Sequence, residues 1–284
     1  MRTLYGRIGL STAGGALAVA LSACAATAGA QQQSLAQRVA AAPAGADVAM
    51  SFPARPGVCG DGRTYISLGR STISGGAFFD SRDDWRGESR GPCLPGPVHV
   101  LLRRRDGAVD DVRTTVGGDA TNEGAGATDL GAVDPAAAAD FLLTLAKTQN
   151  GRVADRAIMP AVLADRAVVW PALLAIARDG ARDGKHAPRS TAAFWLSRFA
   201  SAARDGRPGD IAERDSSADE RDDVRGSAVF ALAQLPRKEG IPGLIEVGRT
   251  HRDPRVRAKA LFWLGQSGDP RAYALFEELL AGTR

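Results

Sequence analysis

The sequence predicts an α-solenoid of paired helices in its C-terminal half, preceded by a small, disulfide-linked, β-rich module. Three observations carry this expectation. A segment repeats: Val224-Arg225-x-x-Ala228-x-Phe230-x-Leu232-x-Gln234 returns 32 residues later as Val256-Arg257-x-x-Ala260-x-Phe262-x-Leu264-x-Gln266. A third copy, Arg189-x-x-Ala192-x-Phe194-Trp195-Leu196, stands 68 residues before Arg257-x-x-Ala260-x-Phe262-Trp263-Leu264. A fixed period of this size marks stacked supersecondary units. Upstream, residues 47–118 carry short alternating apolar runs broken by Gly, Pro and Asp, which is the pattern of strands. Within that region stand Cys59 and Cys93, an even pair suited to one disulfide.

The first thirty residues read as an export signal. Arg2 and Arg7 precede a run of small and apolar residues from Ile8 to Ala23, and no acidic residue occurs before Asp47; this is a signal and not a membrane anchor. Two processing endings compete. Leu21-Ser22-Ala23-Cys24 resembles the lipobox of bacterial lipoproteins, a resemblance that implies acylation of Cys24 and peripheral membrane attachment. Ala28-Gly29-Ala30 before Gln31 fits small-x-small cleavage, and the run Ala25 to Ala30 favours it. Either ending places the chain in the periplasm or cell envelope, where a disulfide persists. In the chain-entropy view, closing a loop of about 35 residues contributes roughly 4 kcal/mol. Two isolated Cys cannot complete a tetrahedral metal site.

Residues 31–46 are polar and Ala-rich, with a short helix expected through Leu35 and Val39. Strands are expected at Val48–Phe52, Thr64–Leu68, Ala77–Phe79, Val98–Leu102 and Val109–Val116, the last two joined by a hairpin turn at Arg105-Asp106-Gly107. Asp80, Asp83, Asp84 and Glu88 lack the spacing and central Gly of a Ca²⁺ loop and read as a surface loop. Residues 119–133 show no periodicity and read as a linker.

From residue 134 the period is helical. Helices are expected at about 134–148, 152–164, 168–179, 188–203, 222–235, 239–250, 254–267 and 270–281. Asp134-Pro135, Asp253-Pro254 and Asp269-Pro270 each supply a capping carboxylate and a proline at the first helical position. On the last helix Ala272, Leu275, Phe276, Leu279 and Leu280 form one apolar stripe that requires a neighbour. On the helix before it Val256, Ala260, Trp263 and Leu264 share a face while Phe262 projects nearly opposite, as expected of a helix sandwiched between two others. Residues 204–220, rich in Asp, Glu, Arg and Ser, read as a truncated helix or an exposed charged loop.

Asp-x-x-Val-Arg-x-x-Ala, followed by a Leu-Gly turn and a helix opening near Ile-Pro-x-Leu, resembles HEAT repeats of the short bacterial, phycobilisome-lyase-like type. The resemblance covers Val168 to Leu280, and Asp134 to Ala164 by pattern only. It implies that the Asp caps the second helix of a pair and that the Arg reaches a neighbouring repeat. Asp253 with Arg257, and Asp222 or Asp223 with Arg225, take those parts. Arg189, Arg225 and Arg257 form a ladder read as contacts between repeats.

The chain is 44% hydrophobic and 24% charged, ordinary for a globular protein. Without Arg2 and Arg7, 34 basic residues face 32 acidic ones and they are interspersed, so no basic stripe for nucleic acid is present. Arg103-Arg104-Arg105 is followed by Asp106, Asp110 and Asp111 and reads as a solvated strand end. His99, His186 and His251 lie far apart and outside any catalytic motif, as surface or turn residues. Gly124-x-Gly126 lacks a dinucleotide-loop context, and Glu277-Glu278 point to different helix faces and read as solvated. No catalytic residue, metal or cofactor is expected. Trp170, Trp195 and Trp263 are the candidate partner-binding residues, although their repeat setting favours the core.

The function expected is therefore that of a non-enzymatic binding or scaffolding protein of the cell envelope, with an unidentified protein as partner. One alternative places ligand recognition in the β module with the repeats as a docking stalk. Another, implied only by the family resemblance, is a bilin-lyase-like enzyme; export and the absence of a reactive Cys in the repeats argue against it.

Overall fold

The computed structural model describes residues 33–63, 65–68, 71–74, 77–80, 93–118, 126–179, 188–207, 209–210 and 221–282. The export signal, Cys24, His186, the acidic cluster beyond Asp80 and most of the charged segment at 204–220 lie outside them. Helix α1 (Leu35–Ala41) opens on a capping box. The Ser34 hydroxyl accepts from the Gln37 N–H, and the Gln37 side chain accepts from the Ser34 N–H at 2.8 Å. Leu35 and Val39 are buried, one turn apart on the face the sequence marks.

Among the described residues nine strands follow: β1 (Val48–Phe52), β2 (Val58–Gly60), β3 (Tyr65–Leu68), β4 (Ser71–Ser74), β5 (Ala77–Asp80), β6 (Leu94–Pro95), β7 (Val98–Arg105), β8 (Ala108–Val116) and β9 (Thr128–Ala132). They form two sheets, β8-β7-β1-β9 and β5-β4-β3-β2-β6. In β1 the alternation is strict, with Val48, Met50 and Phe52 buried and Ala49 and Ser51 between them half-buried. The β7–β8 hairpin turns on Asp106 and Gly107, at φ 52° and 82°. Two successive positive φ angles match the right-handed twist of the strands they join. Arg103 pairs with Asp111 but Arg104 pairs with Val109, so Asp110 is an extra residue that bulges β8.

The expected disulfide is present: Cys59 of β2 joins Cys93, just before β6, with their Cα atoms 5.3 Å apart. It staples a β2–β6 pairing of only two residue pairs, Cys59 with Pro95 and Gly60 with Leu94. The two sheets meet beside this point through bare backbone. A Cβ on Gly60 would lie 2.4 Å from the Val116 carbonyl oxygen, and one on Gly117 would lie 2.4 Å from that of Leu94. Only glycine fits such approaches.

The linker expected at 119–133 is corrected at its end. Thr128–Ala132 is a strand, parallel to β1, held at its ends by the Thr128 N–H to the Asp47 carbonyl at 2.8 Å and the Val133 N–H to that of Ser51 at 2.8 Å. Its outer side is met by Arg38 of α1, which donates to the Leu130 carbonyl at 2.7 Å.

The helical half comprises α2 (Pro135–Thr148), α3 (Gly151–Leu163), α4 (Trp170–Arg178), α5 (Pro188–Arg204), α6 (Arg221–Ala233), α7 (Ile241–Thr250), α8 (Pro254–Ser267) and α9 (Pro270–Ala281). Each boundary falls within about two residues of its expected place, the tolerance helix ends carry anyway. The three Asp-Pro starts cap as their chemistry requires: Asp134, Asp253 and Asp269 accept from the N–H groups of Ala137, Arg255 and Arg271. No helix among the described residues is long and apolar enough to cross a membrane.

Neighbouring helices pack on one another within α2–α5 and within α6–α9, as a solenoid expects, but the two groups do not join in strict order. If they stacked in order, α6 would separate α5 from α8. Instead α8 lies directly on α5, so close that a Cβ on Gly265 would sit 2.9 Å from the Ala193 carbonyl oxygen. Helix α8 also packs against α6 and α7. Helix α9 returns to α4 and α5 and also meets α7 and α8, and Ala272, Leu275, Phe276 and Leu280 of its stripe are buried. Arg178 at the end of α4 pairs with Glu277 at 2.7 Å, and Arg249 of α7 pairs with Glu278. These two carboxylates do face different ways, but each meets a cation and is not merely solvated.

One apolar core runs from Leu35 to Leu280 through strands and helices alike. Across it reaches Arg55, in the stretch between β1 and β2 and only 7% exposed. Its Nε donates to the Val162 carbonyl at 2.7 Å, and its two terminal nitrogens donate to the carbonyls of Ala167 and Gly209. Its guanidinium lies over the Phe199 ring, 5.3 Å from the centroid. Burial lowers its pKa from the ordinary arginine value, and the charge of Asp165 opposes that shift. The backbone repeats the connection: the Arg55 N–H donates to Leu163 at 2.8 Å, the Asp165 N–H to Pro53 at 3.0 Å, and Ala54 bridges Ala164.

Candidate functional site

The repeat places a phenylalanine at the same position in three helices: Phe194 in α5, Phe230 in α6 and Phe262 in α8. With the helices packed as they are, these three and Trp263 form a continuous aromatic ladder. Phe194 meets Phe262 edge to face, centroids 6.3 Å apart; Phe262 meets Trp263 at 5.2 Å, and Trp263 meets Phe230 at 5.2 Å. Such offset and edge contacts suit the ring quadrupole. The Arg198 guanidinium lies 5.9 Å from the Phe194 centroid, at one end of the ladder.

The ladder lies at the edge of the core, with Phe194 and Trp263 packed against it. Phe230 is 47% exposed and Phe262 37% exposed, while Phe194 and Trp263 are half-buried. Phe262 therefore does not sit between two helix layers as a sandwiched helix requires; its far side meets solvent. Leu235, two residues past the end of α6, is also exposed.

The candidate partner-binding tryptophans divide. Trp195 is 1% exposed, its ring edge against Phe194, and offers no surface to a partner. Trp170 is half-buried at the start of α4, packed on the core. Only Trp263 joins the half-exposed ladder. Sequence reasoning missed Phe230 and Phe262 as surface residues because it took repeat-equivalent aromatics as stacking residues. The available signal was that Phe262 points away from the apolar face of its own helix.

The residues expected to brace the repeats lie elsewhere. Arg257 donates to the His251 carbonyl at 2.7 Å and forms a largely buried ion pair with Asp205 at the end of α5. Asp205 is also 3.6 Å from Arg207, which bonds Asp210 at 2.9 Å. The stem of the charged segment is thereby tied to the α7–α8 turn. Asp253 caps α8, and its N–H donates to His251 Nδ1 at 3.1 Å, which occupies that turn histidine. Arg189 donates to the Ala177 carbonyl in the last turn of α4 at 3.0 Å. Asp222 and Arg225 open α6, and their side chains lie outside the described set. His99 lies in β7, half-buried, and not in a turn. Among the described residues no three His, Cys, Asp or Glu side chains gather as a metal site requires.

A further charged contact stands at the N-cap of α9. Asp269, buried, accepts from the Arg271 N–H at 2.9 Å and takes both Nε and a terminal nitrogen of Arg271 at 3.0 Å. The Arg271 hydrogen bonds hold the Asp269 pKa below the usual carboxylate value, against the opposing effect of burial.

No curated protein and no solved structure matches this chain. The family model for HEAT repeats matches residues 214–284, the stretch that carries α6 to α9, and it is to HEAT repeats that this part of the chain is similar.

Proposed function

We propose that this protein is a non-enzymatic protein-binding or scaffolding protein of the bacterial cell envelope, and that partners dock on the aromatic face of α5, α8 and α6. The observation that carries the reading is the half-exposed ladder Phe194–Phe262–Trp263–Phe230. Rigid aromatics with few rotatable bonds lose little entropy on contact and dominate interface energetics. A contiguous exposed apolar patch in a folded chain marks a docking surface more often than it marks chance. The export-type leader and the Cys59–Cys93 disulfide support the envelope as its place. The continuous core weighs against an independent β module on a stalk.

A photo-crosslinking residue at position 230, in cells, tests this directly. The expected outcome is a discrete crosslinked protein that is absent when the same probe replaces Glu246, exposed on α7. Indistinguishable patterns at the two positions would sink the reading. Labelled-palmitate incorporation with and without Cys24→Ser separates a lipid-anchored form from a cleaved one.

A further inference from the structure

The last strand of a sheet offers its outer backbone groups to any strand that comes alongside. A second copy of the chain carries the same edge, and two such edges are complementary about a twofold axis. In the sheet β8-β7-β1-β9 the two ends are β8 and β9. Asp110 bulges β8, and α3 packs against that strand. On β9 three features meet within five residues. From Ala49 to Ser51 β1 advances two residues while β9 advances three, from Asp129 to Ala132, so β9 is bulged. Gly131, at φ 70°, gives its N–H to the Asp129 carboxylate at 2.8 Å. The Leu130 carbonyl accepts from Arg38 of α1 at 2.7 Å. A donor and an acceptor of the strand are thus held by side chains and withheld from another backbone.

The helix that supplies Arg38 is held lightly. Seven residues are too few for a helix to persist in isolation. Its capping box closes only its first turn, and Leu35, Val39 and the following Ala42 are its buried side chains. Arg104 of β7 fixes the far end by donating to the carbonyls of Ala42 and Pro43 at 3.1 and 3.4 Å. A short segment tied by few burials and by side-chain hydrogen bonds opens at lower free energy than the strands beneath it.

We propose that α1 is a strap that guards the β9 edge, and that its release lets a second copy of this chain lay its own β9 alongside, antiparallel across a twofold axis. Arg38 couples the two states. While it holds the Leu130 carbonyl the edge is closed, and when α1 leaves, that carbonyl returns to the edge. The pairing joins the sheets of two copies into one continuous sheet. It uses none of the ladder residues and does not rest on the docking reading above.

The test compares the purified full-length protein with two variants. A strap-release variant combines Arg38→Ala with Val39→Glu, which charges a buried position of α1. An edge variant combines Arg38→Ala with Asp129→Ala and frees both the Leu130 carbonyl and the Gly131 N–H. Sedimentation velocity over a concentration series reads self-association, and hydrogen exchange over residues 34–46 reads release of the strap. A photo-crosslinking residue at the exposed Ala132 or, as a control, at Phe262 reports which face meets the second copy. The expected result is self-association of the strap-release variant about tenfold or more tighter than that of the parent. Its dimer should crosslink through position 132 and not through 262. Fast exchange over residues 34–46 without tighter self-association overturns the proposal. A dimer that crosslinks through 262 and not 132 overturns it as well, because the ladder would then be the face that pairs. If Val39→Glu lowers the melting transition of the whole chain, the edge variant decides, since Asp129 is exposed and α1 keeps its buried side chains. That variant should also self-associate more tightly than the parent and crosslink through 132, and equality with the parent overturns the proposal.

Discussion

Arg55 shows how one side chain can connect two kinds of structure. Its three donor groups end on main-chain carbonyls of Val162, Ala167 and Gly209, and its charge is buried without a carboxylate hydrogen-bonded to it. Removing it leaves three carbonyls to find new partners, at roughly 1 kcal/mol or more each. Arg55→Met should therefore lose about 3 kcal/mol, a fall in Tm of roughly 6–12 °C for a domain of this size. Arg55→Lys should recover little, because one ammonium cannot reproduce the planar fork. Thermal unfolding of the two variants checks this, and a lysine variant as stable as the parent would show that only charge matters there. Asp269 gives a pH-dependent counterpart. Its folded pKa is held below the unfolded value by Arg271, so the stability it contributes is present above the ordinary carboxylate pKa near 3.9 and is lost as pH falls through the lowered folded value. Asp269→Asn should be less stable than the parent at neutral pH, with the difference vanishing in acid. Urea midpoints of both proteins from pH 7 to pH 2 measure it.

At the scale of elements, glycines decide how closely helices approach. Gly265 lets α8 touch the Ala193 carbonyl of α5, whereas the equivalent position is Ala233 in α6 and Ser197 in α5. The copy with no side chain is the one that lies on α5. Gly265→Ala should cost about 1–3 kcal/mol by forcing the two helices apart. Gly243→Ala in α7 should do the opposite. Its Cβ would meet only the Leu232 side chain at an ordinary 3.5 Å, and the gain in helix propensity is about 0.5–1 kcal/mol. Denaturant titration of the pair checks both signs together. Helix ends were legible in the sequence because Asp-Pro pairs and repeated Arg-x-x-Ala motifs act locally, within a turn. The strand β9 was not: Thr-Asp-Leu-Gly-Ala has no alternation, and it is a strand because β1 offers an unpaired edge. Nor was the contact of α5 with α8 legible. Copies of one repeat are chemically alike, and likeness does not encode which copy lies beside which. The ladder was half legible: its phenylalanines stand out as repeat-equivalent, but their exposure depends on that hidden neighbour relation.

At the scale of the whole molecule, strands and helices share one core, and this alters what dissection can yield. Residues 31–118 taken alone lose β9, and with it one neighbour of β1; residues 134–284 taken alone lose Arg55 and the hairpin against which α3 packs. The two fragments should each lack cooperative unfolding and well-dispersed NMR spectra, while the parent unfolds in a single transition. Two independently folded fragments would instead show that the shared core is dispensable.

The return of α9 to α4 and α5 also sets an order in time. In an array whose units touch only their neighbours, structure spreads from any completed pair to the next. Here Arg178 waits for Glu277, 99 residues further along the chain, and α5 waits for α8. Loop closure of that length must precede the contacts that reward it, which slows folding relative to a chain of local pairs. The middle helices therefore acquire their final protection against hydrogen exchange together with the last two, and not before them.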